Sequence, residues 1–154
     1  MNCVYLGLGS NLGNREKNIE QALDLLNDHP DISVIKTSSF TETLAVSTYQ
    51  QPKYLNGVVE ITTFLTPIEL LDVTEGIEKT LGRDSKGLGD PRIIDIDLLF
   101  YNDDIISTDR LSIPHSLVHE RLFVLTPMSE IAPDYVHPTL NVSILELKDQ
   151  LHGY

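Results

Sequence analysis

Short apolar runs and longer helical stripes alternate along this chain, and their periods predict most of its elements. Val4-Tyr5-Leu6-Gly7-Leu8 reads as a short buried strand. Ile19, Ala22, Leu23 and Leu26 then recur at helical spacing behind Asn14, a candidate cap. Positions 32–43 read as a strand, and 54–64, rich in Val, Ile and Thr, as a better one. Thr66-Pro67-Ile68-Glu69 carries three helix-start signals: a threonine cap, proline at the first helical position, and glutamate closing a capping box. Leu70, Ile77 and Leu81 form that helix's apolar stripe, and Gly82 ends it. A further strand carries Asp95 and Asp97, and Asn102-Asp103-Asp104 is a turn into Ile105-Ile106. Positions 115–131 look helical or irregular, and a last short helix is expected over 142–148. No repeat or linker interrupts the chain, so 1–154 reads as one domain. The order β-α-β-β-α-β predicts an α+β, ferredoxin-like antiparallel sheet, with two helices on one face and additional C-terminal elements.

The strand through Asp95 and Asp97 changes the picture most. Successive strand side chains point to opposite faces, so the two carboxylates share one face and Ile94, Ile96 and Leu98 the other. Like charges side by side on a sheet repel unless a cation sits between them. An oxygen-only pair suits Mg²⁺, which takes one or two carboxylates and fills its shell with water and phosphate oxygens. Taken alone, such a pair more often marks a solvated acidic face. The surroundings argue otherwise.

The chain carries a net charge of −12, which argues against generic nucleic-acid or anionic-membrane binding. Its arginines are unevenly placed: of five, Arg83, Arg92, Arg110 and Arg121 fall in the region that holds the acid pair. Arginine suits bidentate phosphate contacts, so a basic island beside a candidate metal site points to a phosphate–metal complex. The 154 residues, 41% hydrophobic and 22% charged, are enough for a sizeable core. No run approaches a membrane span, and the N-terminus does not resemble a secretory signal. The single cysteine, Cys3, reads as a small buried hydrophobe, which leaves a reducing, cytoplasmic setting as the default.

Other motifs are weaker. Gly7-Leu8-Gly9-Ser10-Asn11-Leu12-Gly13 is one residue too long for a dinucleotide fingerprint, and its glycines read as a tight strand–helix turn near a site. Tyr54 and Asn56 share a strand face, and an aromatic plane beside a carboxamide suits a flat, hydrogen-bonding heterocycle. His115 and His119 would share a helix face, but no third zinc ligand accompanies them, and a place beside phosphate suits His115 better. Glu75, Glu78 and Arg83 cluster at the end of the second helix, where either glutamate could reach a ribose.

Tyr5–Gly13, Gln51–Asn56, Ile77–Arg83, Pro91–Leu99, Ile113-Pro114-His115, Glu120–Leu125 and Glu130–Pro133 together resemble the hydroxymethyl-dihydropterin pyrophosphokinase family. The P-R-x-I-D-x-D run followed by I-P-H and E-R-x-F is highly specific. The resemblance implies transfer of the β,γ-diphosphate of ATP to a pterin hydroxymethyl oxygen, with Asp95 and Asp97 holding two Mg²⁺ ions. It implies catalytic roles for Arg83 and Arg92 with those acids. It implies ATP contacts from Glu75, Glu78, Arg83, Arg92, Leu98, Arg110, His115 and Arg121. Tyr54 and Phe123 would sandwich the pterin, and Asn56, Thr43, Leu44 and Val46 would complete its pocket. The loop ahead of Pro91 lacks the family's usual tryptophan, and Lys86 stands there as a point charge. A small-molecule enzyme of this kind is expected to be a monomer. The rival readings are a phosphotransferase that moves only the γ-phosphoryl or an adenylyl group, and a ferredoxin-like module that binds a small ligand and regulates without turnover.

Overall fold

A computed structural model of the chain describes residues 1–43, 54–82 and 93–151. The elements run β1 (Asn2–Ser10), α1 (Arg15–Asp28), β2 (Ile32–Thr37), β3 (Thr41–Thr43), β4 (Tyr54–Thr63), α2 (Pro67–Gly82) and β5 (Asp95–Tyr101). Then follow β6 (Ile106–Ser107), β7 (Ser112–Ile113), a 3₁₀ turn at Val118–Glu120, α3 (Leu122–Ile131) and α4 (Ile144–Leu151). The main sheet has the order β2-β4-β1-β5 with antiparallel neighbours, and β3 also pairs with β4. Each β-α-β unit therefore straddles a strand of the other, which is the expected ferredoxin-like arrangement. Strands β6 and β7 form a separate ribbon.

The local signals act as the sequence implies. Asn14 accepts from the Lys17 N–H at 3.1 Å and caps α1. Thr66 and Glu69 close a reciprocal box at α2: the Thr66 N–H donates to Glu69 (2.9 Å), and the Glu69 N–H donates to Thr66 Oγ1 (3.3 Å). Two expectations need correction. The strand expected over 32–43 breaks at Ser38-Ser39-Phe40, where the Ser38 hydroxyl accepts the Val58 N–H at 2.8 Å in place of a ladder carbonyl. The first strand continues past Leu8 through Gly9 and Ser10, because these residues pair with Asn56 and Leu55 of β4. Glycine's low strand propensity gives way to pairing on both sides of a central strand.

Both faces of the sheet are covered. Val4, Leu6 and Leu8 of β1, Val59 and Ile61 of β4, and Ile96 and Leu98 of β5 pack with Ile19, Ala22 and Leu26 of α1 and Leu70 and Ile77 of α2. On the other face Tyr5, Val58, Leu99 and Phe100 pack with Val124, Leu125 and Met128 of α3 and Ile144 and Leu147 of α4. The additional C-terminal elements thus form a second layer. A register shift opposite Tyr5 and Leu6 leaves Leu99 as an extra residue in β5, so Leu99 and Phe100 both enter the α3–α4 side. Cys3 is only half-buried, and its thiol lies 3.7 Å from Glu60. Among the described residues no helix is long and apolar enough to cross a membrane.

Candidate active site

The site begins with strand register. Gly9 of β1 pairs with Asn56 on one side and Asp95 on the other, and Gly7 pairs with Val58 and Asp97. Paired residues on neighbouring strands point to the same face. Asn56, Gly9 and Asp95 therefore form one row, with Tyr54 and Asp97 on the same surface. Leu99 lies 3.5 Å from where a Gly7 Cβ would stand and closes the floor toward the aromatic core. Burial raises the Tyr54 phenol pKa, and the negative charge of Asp95 adds to it, which places ring and carboxylate within electrostatic reach. Asp97 is exposed and Asp95 half-buried, so both carboxylates can meet a hydrated ligand.

Four part-buried hydrogen bonds hold the acid strand and the turn beside it. The fully buried Ser10 hydroxyl donates to the Ile93 carbonyl at 2.6 Å. Asn18 of α1 donates to Ser10 Oγ (3.1 Å) and to the Leu12 carbonyl (2.8 Å), which ties the turn after β1 to the same point. At the outer edge of β5 the Ile96 N–H donates to a Glu78 carboxylate oxygen of α2 at 2.8 Å. Backbone groups alternate sides along a strand, so the N–H and C=O of Leu98 face that same outer edge.

The segment after β7 brings the third set of groups. The His115 N–H donates to the Leu99 carbonyl at 3.0 Å, which holds the residue against β5. Its Nδ1 accepts from the Leu117 N–H at 3.3 Å, so the neutral ring carries its proton on Nε2. Burial lowers the His115 pKa; the charge of nearby Asp97 opposes this and that of Arg121 adds to it. His115, Asp97 and Arg121 therefore sense one another across the site. Arg121 stands at the N-cap position of α3 without a side-chain capping bond, and its guanidinium carbon lies 5.5 Å from the centre of the Phe123 ring. Arg110 is ion-paired with Asp72 (2.8 Å) and Glu75 (3.0 Å) on the exposed face of α2.

The structure thus brings Asp95, Asp97, Tyr54, Asn56 and Glu78 to one end of the sheet, and joins His115 and Arg121 to Asp97. Thr43 pairs with Tyr54 at the end of β3. Leu44, Val46, Arg83, Lys86 and Arg92, with the loop at 84–91, lie outside the described residues. Two readings change. Gly7 and Gly9 are strand residues, and only Gly13, at φ +65°, belongs to the turn. His119 does not share a helix face with His115: it sits in the 3₁₀ turn and faces the His137 ring at 6.5 Å. Ser10, Asn18 and the buried Asn11, whose carboxamide finds no partner among the described residues, were not legible as site components. For Ser10 and Asn11 the signal is the polar G-S-N run at the end of an apolar strand; Asn18 carries none.

Among the described residues no three His, Cys, Asp or Glu side chains gather as a metal cluster. The Asp95–Asp97 pair still fits Mg²⁺, since that ion needs only one or two carboxylates when phosphates supply the rest.

Fold and site together define a class, a ferredoxin-like α+β domain with a paired-carboxylate site at one end of its sheet. Comparison with known proteins narrows it. Residues 5–133 match the family model described as 7,8-dihydro-6-hydroxymethylpterin-pyrophosphokinase (HPPK), and the chain belongs to this family. It is 45% identical over 130 residues to the 2-amino-4-hydroxy-6-hydroxymethyldihydropteridine pyrophosphokinase of Bacillus subtilis, covering 84% of this chain and 78% of that one. The protein of the same name from Methylorubrum extorquens is 43% identical over 136 residues, 88% of this chain and 86% of that one. A Plasmodium falciparum HPPK-DHPS crystal structure superposes with a TM-score of 0.78 at 20% identity. It covers 97% of this chain and 43% of the longer one, and shows a shared fold.

Proposed function

We propose that the chain transfers the β,γ-diphosphoryl group of ATP to the hydroxymethyl oxygen of 6-hydroxymethyl-7,8-dihydropterin. The alcohol oxygen bonds to the β-phosphorus, and the bond from that phosphorus to the α–β bridging oxygen breaks. AMP leaves with that oxygen, and the hydroxyl proton passes to water. The observation that supports this reading is the row Asn56–Gly9–Asp95, which sets a carboxamide and a carboxylate on either side of one backbone floor.

Asp95 and Asp97 would hold two Mg²⁺ ions, which supply charge neutralisation on the triphosphate and polarise the alcohol. Neutral His115 offers its Nε2–H to a phosphate oxygen, and Arg121 adds a fixed positive charge beside it. Arg83 and Arg92 neutralise the transferring and leaving phosphates. Arg110, Glu75, Glu78 and the outer edge at Leu98 serve the nucleoside end. Tyr54 and Phe123 provide flat apolar surfaces for the pterin; Thr43, Leu44 and Val46 are further pterin-binding residues, and Lys86 supplies a charge. Diphosphoryl transfer asks mainly for positioning and charge stabilisation, and the site contains groups for both. The chain works as a monomer in the cytoplasm on two small molecules.

Incubation with ATP, Mg²⁺ and the reduced hydroxymethylpterin tests this, with products resolved by chromatography. AMP and a diphosphorylated pterin in equal amounts are expected. ADP, free pyrophosphate, or binding without turnover would overturn it, the last in favour of a regulatory module.

A further inference from the structure

Gly9 is not a conformational glycine. Among the described glycines only Gly13 has a positive φ, so any residue could adopt the backbone at position 9. Space explains it instead. A Cβ built on Gly9 would stand 2.5 Å from Asn56 Oδ1, well inside contact distance, and 3.6 Å from Tyr54 Cδ1, an ordinary contact. The Asn56 carboxamide therefore lies over β1, in the volume that any larger residue at position 9 would claim. That direction leads from β4 across Gly9 toward Asp95, which lies two strand spacings away, about 10 Å.

We infer that Gly9 is a positioning residue for Asn56: by lacking a side chain it lets the carboxamide lie flat across β1, between Tyr54 and Asp95, in the orientation that reads the edge of a planar bicyclic heterocycle. The inference rests on the function proposed above. A flat pose fixes both polar atoms of the amide at once, so that one donor and one acceptor can meet an N–H and a C=O on the same ring edge. An amide forced upright would present one atom at most. Position 57 shows the contrast. A Cβ there would meet the Phe40 ring at 2.5–2.6 Å in the apolar core, where substitution disturbs packing and not ligand reading.

The test is a cycle of Gly9→Ala, Asn56→Ala and the double variant. Calorimetric titration with reduced hydroxymethylpterin is done in the presence of Mg²⁺ and α,β-methylene ATP, which cannot be turned over. Losing one or two hydrogen bonds predicts a pterin Kd raised about 10- to 100-fold in Gly9→Ala. The affinity for the Mg²⁺–nucleotide analogue should stay within about twofold in that variant. In the Asn56→Ala background the Cβ at position 9 has only an ordinary contact to make, so adding Gly9→Ala should change the pterin Kd by less than about twofold. Should Gly9→Ala fail to fold, the double variant, freed of the clash, carries the comparison against Asn56→Ala.

Parental pterin affinity in Gly9→Ala overturns the inference. So does a further loss in the double variant, which would mean that the Cβ meets the ligand directly. If the unaltered chain does not bind the pterin at all, the proposed function fails, and the cycle distinguishes that from failure of the inference.

Discussion

Glu78→Ala removes the acceptor of the Ile96 N–H, and the consequence of that loss can be worked from the structure. The Ile96 N–H donates to the Glu78 carboxylate at 2.8 Å, at the outer edge of β5 and between the two site acids. A hydrogen bond to a charged group contributes about 1.5–3 kcal/mol. Because β5 is an edge strand, water can replace the lost acceptor, which argues for the lower figure. The unfolding entropy of a 154-residue domain is about 0.32 kcal/mol per kelvin, so 1.5 kcal/mol corresponds to about 5 °C in Tm. Loosening the strand between Asp95 and Asp97 should also weaken Mg²⁺–nucleotide binding and lower kcat about tenfold or more, since small misplacements in such sites are costly. Glu78→Gln keeps a neutral acceptor and should recover part of both losses. Scanning calorimetry and steady-state turnover read the two effects. A Glu78→Ala protein that melts within about 1 °C of the parent at full turnover would show that the contact does not hold the site.

Asp97→Ala should fold normally and lose at least about 10²–10³-fold in rate, the size of removing one preorganised electrostatic group; AMP release over time reads it, and near-parental turnover would remove Asp97 from the metal role. Tyr54→Ala should weaken pterin binding while sparing the nucleotide, and Arg121→Ala should do the reverse; titration with each ligand would show an exchanged pattern if the pockets were swapped. His137 is buried, and its Nδ1 accepts from the N–H groups of Thr139 (3.2 Å) and Leu140 (3.1 Å). Burial lowers its pKa and His119 adds to this, so the folded ring stays neutral where the unfolded one protonates. Stability should therefore fall as pH drops below about 6.5, by up to about 1.4 kcal/mol per pH unit for this group, and level off below the folded-state value. His137→Asn keeps an acceptor and should flatten that part of the slope in urea melts taken across the range, leaving the share of His115.

The face of the candidate site was readable in the sequence because a strand's period of two assigns sides without further information. Asp95 with Asp97, and Tyr54 with Asn56, fall where alternation puts them. What alternation cannot supply is which strand lies between which, so the glycines of β1 read as a turn when they are the floor joining the two pairs. Capping chemistry located Asn14 and Thr66 because each signal is local. The placement of α3 and α4 over the second face was not legible, since nothing in an amphipathic stripe names the surface it will cover. Nor was the engagement of Glu75 and Arg110, 35 residues apart, which only the tertiary fold creates by bringing the turn between β6 and β7 to α2.

The extra residue at Leu99 divides β5 into two stretches with independent facing. Before it, Asp95 and Asp97 look into the site; after it, Phe100 anchors the aromatic cluster with Tyr5 and Tyr135. Were Leu99 accommodated by strict alternation and not as a bulge, Phe100 would face the opposite layer whenever the carboxylates were correctly aimed. The bulge lets one continuous strand aim its acids at one end and its aromatic ring at the other, so a repacking beneath α4 need not turn either carboxylate off its face.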